Sequence, residues 1–235
     1  MKVLALTSQK GGSGKTTLAG HLAVTAEAAG AGPVALINAD PQGNLTDWWN
    51  ERQAATPAFL SAAVSTLRSD LNRARDLGFA QVIVDTPPAI TDMIEQAIAL
   101  SDLVIIPTRP SPHDLRAAGT TISIVEAAGK PLVFVINAAN PRARITGEAA
   151  VVLSQHGTVA PVTIHQRTDF ASSMIDGRTM MELPRSVRSS DEIRRLWEYL
   201  ETRTQKAIAP TMISDGFARL SGAPANPQRH WTDAR

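Results

Sequence analysis

The sequence predicts an α/β fold: a mostly parallel central sheet with helices on both faces. Three observations predict it. Short apolar runs rich in Val and Ile recur along the chain, each followed by a loop and a helical stretch. Strands buried on both faces of a parallel sheet read this way. The units follow one another at about 25–50 residues, room enough for a crossover helix between parallel strands. Of the 235 residues, 43% are hydrophobic and 19% charged, so the chain can bury a real core.

Taken in order, the expected strands are 3–6, 34–37, 82–84, 103–106 and 133–136, with a weaker sixth at 159–164. The expected helices are 16–29, 65–77, 91–100, 114–128, 146–155 and 190–206. The last helix puts Ile193, Leu196, Trp197 and Leu200 on one face, the pattern of a helix packed on a core. Beyond it the periodicity stops. Residues 1–208 are therefore expected to form one domain, and 209–235, with Pro, Gly, Ser and Asn but no apolar period, a mobile tail.

Composition excludes several chemistries. There is no Cys, which rules out a disulfide scaffold, a thiolate zinc site, a Cys nucleophile and a Cys-ligated iron–sulfur cluster. No apolar run approaches the ~20 residues of a membrane span, and the first residues are too short an apolar stretch for a signal peptide. A cytoplasmic protein is expected. The net charge is +1, but unevenly spread: residues 1–138 hold 10 basic and 12 acidic side chains, and 139–235 hold 13 and 10. The surplus in the C-terminal part reads equally as an ordinary solvated surface or as a modest anion-facing patch.

The chemistry is concentrated after the first strand, in Lys10-Gly11-Gly12-Ser13-Gly14-Lys15-Thr16-Thr17. The general phosphate-loop pattern G-x-x-x-x-G-K-[ST] wants Gly at position 9, where Gln9 stands, and an extra Lys10 follows. This is the deviant form of a P-loop NTPase motif. Gly11, Gly12 and Gly14 let backbone N–H groups turn toward phosphates. The helix N-terminus adds partial positive charge. Lys15 supplies a cation to the β- and γ-phosphates, Thr16 a hydroxyl for Mg²⁺, and Thr17 a donor for the α-phosphate.

Three further runs accompany the loop. They are Ala39-Asp40-Pro41-Gln42-Gly43-Asn44, then Val82-Ile83-Val84-Asp85-Thr86-Pro87-Pro88, then the run from Ile106 through Pro107, Arg109, Ser111 and Asp114 to Leu115. With these four ordered motifs the sequence resembles the ParA/MinD group of deviant-Walker ATPases, across about residues 1–205. The resemblance implies ATP and Mg²⁺ as ligands. It implies that Lys10 is a signature lysine reaching across a homodimer interface to the partner's ATP. It implies that Asp40 orients the attacking water and contributes to the metal shell, that Asp85 holds Mg²⁺ through water, and that Asn137 offers its amide to adenine. Catalysis would thus rest on Lys10, Lys15 and Asp40, nucleotide binding on 11–17 and Asn137, and the metal on Thr16, Asp40 and Asp85. One departure stands out: where the family often has Asp, this chain has Asn38, which keeps hydrogen bonding but loses a charge. No metal role is assigned to it.

The phosphate loop begins ten residues into the sequence, so the resemblance is to the small ParA type without an N-terminal helix-turn-helix. That type binds DNA without sequence preference as an ATP dimer. Candidate cations are Arg167, Arg178, Arg185, Arg188, Arg194 and Arg195, of which Arg167, Arg185 and Arg188 are favoured. The implied function is a nucleoid-associated ATPase that positions or segregates a plasmid, chromosome region or protein assembly, with hydrolysis stimulated by a cargo-linked partner. The alternatives are a MinD-like ATPase on a membrane, for which the tail lacks an amphipathic helix, and a metabolic P-loop enzyme, for which no substrate-pocket motif is found.

Overall fold

The computed structural model describes residues 1–89, 92–183 and 187–206. The expected tail and Arg185 lie outside the described residues. Seven strands form one sheet in the order β3-β2-β4-β1-β5-β6-β7, and every pairing is parallel. The strands are β1 (Lys2–Leu6), β2 (Val34–Asn38), β3 (Ala58–Ser61), β4 (Gln81–Asp85), β5 (Leu103–Thr108), β6 (Leu132–Ile136) and β7 (Thr158–Val159). The helices are α1 (Lys15–Ala28), α2 (Asn44–Asn50), α3 (Leu67–Asp76), α4 (Asp92–Leu100), α5 (Pro112–Ala127), α6 (Arg144–Ser154), α7 (Thr168–Ser173) and α8 (Val187–Lys206).

Alternation along each strand divides the core into two layers. Leu4 and Leu6 of β1, with Val34 and Leu36 of β2, pack under α1, α2 and α8. Val3 and Ala5, with Ala35 and Ile37, face α3 and α4. Ile106 of β5 and Ile136 of β6 meet α5 and α6 on that second face. The expected face of α8 is the one that packs: Ile193, Leu196, Trp197 and Leu200 are at most 1% exposed. Burying each contributes about 2 kcal/mol, so α8 is firmly seated on the α1 side of the sheet.

The sixth strand is shorter than the expected 159–164. It pairs with β6 only at Thr158 and Val159. Pro161 has no N–H to continue a ladder. The chain stays alongside β6 through single bonds from Ala160 N–H to the Phe134 carbonyl and from Ile164 N–H to that of Ile136. It then passes Ala139 as an isolated bridge at His165. β3, α2, α7 and the 3₁₀ turns Met174–Asp176 and Met180–Glu182 are additional to the expected elements.

Candidate nucleotide site

The carboxyl ends of the inner strands converge on one edge of the sheet. Leu6 of β1 lies level with Asp85 of β4, and Asp85 level with Asn38 of β2. The loop leaving β1 is clamped at once: Thr7 N–H bonds the Ile105 carbonyl at 2.9 Å, and the Thr86 hydroxyl bonds the Leu6 carbonyl at 2.8 Å. Gly12 and Gly14 adopt φ of +76° and +92°, which only glycine tolerates readily. Gly14 is constrained twice. A Cβ there would sit 2.1 Å from Asn137 Nδ2.

α1 starts on Gly14 with no side-chain cap and no acidic residue in its first turn. Its leading N–H groups have no intrahelical acceptor, and the helix dipole favours an anion there. By contrast, α5 is capped by Ser111, which accepts from the Asp114 N–H, with Pro112 at its start.

A cavity of about 190 Å³ opens over this helix start, lined by Gly11, Gly12, Gly14, Lys15, Thr16, Thr17, Asp40 and Gln42 among others. The structure therefore gathers most of the residues that the motifs singled out. Lys15 is buried, and its Nζ donates to the Ser8 carbonyl at 3.1 Å. Burial pushes its pKa down, against the pull of Asp85 and Asp40. Asp40 is held by its own loop, its Oδ1 accepting from Gln42 N–H at 3.0 Å. Asn38 anchors that loop at both ends: its Oδ1 accepts from Asp40 N–H at 3.1 Å and its Nδ2 donates to Thr46 Oγ1 of α2 at 2.9 Å.

Asp85 lies beneath the cavity with no exposed surface and accepts from the Thr16 hydroxyl at 2.7 Å. Burial pushes it up to about 7, opposed by the Thr16 hydroxyl and the Lys15 ammonium. Its Oδ1 is buried without a partner. An orphaned carboxylate oxygen beside a threonine hydroxyl is a donor set that suits Mg²⁺, which is bound through one or two protein oxygens with waters and phosphates. No group of three or more His, Cys, Asp or Glu able to hold a metal exists among the described residues.

A second cavity, of about 160 Å³, shares Gly14 and Thr17 with the first and continues to Asn137, His165, Gln166 and Arg167. Asn137 is 7% exposed, and its Nδ2 donates to the Ser13 carbonyl at 2.7 Å. It braces the phosphate loop, a role that its place at a strand end does not reveal. Arg109 lines the same cavity and reaches Gly12, its guanidinium 3.8 Å from where a Cβ would stand. In the sequence Arg109 is marked only by its place within the run from Ile106 to Leu115.

Lys10 is elsewhere. Its Nζ pairs with Asp114 at 3.1 Å, on the same chain. Arg167, expected on a DNA-binding surface, is tied to Glu192 of α8. Arg178 pairs with Asp176, and Arg194 with Asp191. Arg188 and Arg195 are exposed on α8.

A family model described as VirC1 protein matches residues 1–216. Maintenance of carboxysome distribution protein A of Halothiobacillus neapolitanus is 32% identical over 209 residues, 82% of this chain and 93% of that one. The chain belongs to the ParA/MinD family of P-loop ATPases. It is also 25% identical over 261 residues to the chromosome-partitioning ATPase Soj of Thermus thermophilus, covering 97% of this chain and 90% of Soj. Its fold is similar to that of a Cyanothece McdA–ATP complex, with a TM-score of 0.71 at 20% identity over 86% of this chain and 96% of that one. It also matches the cell division ATPase MinD of Pyrococcus furiosus, with a TM-score of 0.72 at 18% identity over 86% and 99%. As a ParA/MinD protein the chain is an ATPase of the type that positions or segregates a cargo, and ATP with Mg²⁺ is the family's usual ligand pair. Among the described residues no helix is long and apolar enough to cross a membrane.

Proposed function

We propose that this ParA/MinD protein binds Mg-ATP in the two adjoining cavities, dimerises around it, and in that state binds DNA without sequence preference. A cargo-linked partner then stimulates hydrolysis and release. The cargo is a plasmid, chromosome region or protein assembly; relatives are named for carboxysome distribution and for chromosome partitioning.

The observation that carries the nucleotide reading is the phosphate cavity, where Lys15, Thr16 and Asp40 share one space above Asp85. Lys15 and the N–H groups opening α1 would hold the phosphates. Thr16 and Asp85 would hold Mg²⁺, which neutralises charge on the transferred group when bound. Asp40, steadied by Asn38, would orient the attacking water. Phosphoryl transfer needs mostly positioning and charge neutralisation, so hydrolysis stays slow until the dimer and partner complete the site. Lys10 would leave Asp114 and enter the partner's phosphate site.

DNA binding is assigned to α8 through Arg188 and Arg195, both exposed and, among the described residues, without an ion pair. Two cations per protomer give four in a dimer, for which the logarithm of affinity falls against the logarithm of salt with a slope of roughly −3 to −4. The test is binding to a non-specific duplex with ADP, ATP and a non-hydrolysable analogue at two salt concentrations. Binding with ATP or the analogue alone, weakened by salt, supports the proposal. No binding in any nucleotide state overturns the DNA part, and liposome sedimentation then tests a membrane surface.

A further inference from the structure

The second cavity has an unusual wall. Part of it is His165, Gln166 and Arg167, a loop segment after β7 that belongs to no helix or strand, with Phe170 and Ala171 of α7 beyond it. Backbone bonds secure the segment on the sheet side, from Ile164 N–H to the Ile136 carbonyl and from Gln166 N–H to the Ala139 carbonyl, each 2.9 Å. On the other side, among the described residues, a single carboxylate holds it. Glu192 Oε2 accepts from the His165 backbone N–H at 3.0 Å. Its Oε1 accepts from His165 Nδ1 at 2.8 Å and from the Arg167 guanidinium at 2.5 Å. The Glu192 side chain is 13% exposed and that of Arg167 is 25% exposed.

Glu192 sits beside Ile193 in α8, whose buried face fixes it to the core. The carboxylate is therefore a rigid post, and a loop segment hangs on it. Removing one member of a largely buried charge pair leaves the other uncompensated, so Arg167 has no equivalent resting place. A binding wall held within tenths of an ångström by a supporting group is what a well-ordered pocket needs.

We propose that Glu192 is a positioning residue of the nucleotide site: it holds the wall against which the base and ribose sit, and so sets affinity for that part of the ligand without touching the phosphates. This rests on the Mg-ATP reading of the two cavities. It assigns Arg167 to the pocket wall and leaves Arg188 and Arg195, one turn before and after Glu192 on α8, to face outward.

The test compares ADP with pyrophosphate, which fills the phosphate cavity but has nothing to place in the second one. ADP also avoids ATP-driven dimerisation. Both affinities are measured with Mg²⁺ on the full chain, by competition against a fluorescent adenine nucleotide. In the wild type ADP binds more tightly than pyrophosphate. In Glu192→Gln the ADP affinity falls about 10-fold, the loss expected when one or two charge-assisted hydrogen bonds go, and the pyrophosphate affinity stays within about twofold. An equal fall for both ligands, or no fall for either, overturns the proposal. His165→Ala removes the imidazole tie but keeps the Arg167 pair. It shows a smaller loss of the same selectivity and keeps the question answerable if Glu192→Gln fails to fold. If wild-type ADP binds no better than pyrophosphate, it is the base-pocket reading itself that fails, a result distinct from a failure of Glu192 alone.

Discussion

Lys10 and Asp114, 104 residues apart in the chain, are joined by a 3.1 Å salt bridge at the mouth of the phosphate loop. Asp114 is 6% exposed and also accepts from the Ser111 hydroxyl, so it is the fixed partner; Lys10, 41% exposed, is the movable one. A lysine meant for a partner's phosphates must first leave this carboxylate. The bridge is half in solvent and worth about 1 kcal/mol at most. Asp114→Asn is therefore expected to strengthen ATP-dependent self-association about three- to fivefold, read by sedimentation velocity across protein concentrations. Lys10→Ala is expected to abolish it. Unchanged association in both variants would remove Lys10 from the interface.

Lys15→Ala is expected to weaken ATP and ADP binding at least ~100-fold, since it removes a buried cation from the phosphate cavity. Retained tight binding, measured by calorimetry, would contradict the placement of the phosphates.

Asp40→Ala separates binding from chemistry. Expected are near-normal ATP affinity, an accumulating dimer, and hydrolysis lowered about 100-fold or more. A monomeric variant with full turnover would show that Asp40 does not act on the water.

Gly14→Ala meets two obstacles at once: φ of +92° and the Asn137 amide at 2.1 Å. The backbone strain alone costs about 1–3 kcal/mol. Removing the amide in Gly14→Ala/Asn137→Ala relieves the collision but not the torsion. Both variants are expected to lose nucleotide binding, and the double variant to recover part of the thermal stability. Full recovery of nucleotide binding in the double variant would mean that the torsion is unimportant.

His21, buried in α1, donates from Nδ1 to the Thr17 carbonyl at 2.8 Å and packs edge-on against Phe170 at 5.2 Å. Burial lowers its pKa from 6.5 to about 4. The unfolded chain takes up this proton below about pH 6.5 and the folded chain does not until about pH 4. Stability is thus fully present above pH 6.5 and lost as pH falls through that window, by about 3 kcal/mol in total. In urea titrations at pH 7 and pH 5, the wild type is expected to lose about 2 kcal/mol more than His21→Leu, which has no proton to gain. Equal losses would show that His21 is not the titrating group.

Much of this was legible because the motifs are local. The phosphate loop and the Asp40 and Asp85 runs each sit within a few residues of a strand end, and the topology brings those ends together. What was missed is either short or tertiary. β3 is an Ala-Phe-Leu-Ser edge strand, half-buried and without a Val or Ile run. α2 buries only Leu45 and Trp48, too little for a helical period to show. Arg167 read as a surface cation because its partner, Glu192, lies 25 residues away on α8. The brace from Asn137 to Ser13 spans 124 residues and leaves no mark on the sequence near either.

The strand order has a consequence for how the molecule comes into being. β1 precedes the sheet's other strands in the chain, yet its neighbours in the sheet are β4, reached at Gln81, and β5, reached at Leu103. A chain emerging from the ribosome carries the apolar strand and its glycine loop long before either flank exists, and closing such distant pairings is slow. The loop's anchor to Ile105 arrives only with β5, and its brace from Asn137 later still. Nucleotide can favour the folded chain by mass action only once that cradle stands. The ligand that governs the finished machine thus has no hold on its early biogenesis, and that interval is where chaperones would be needed.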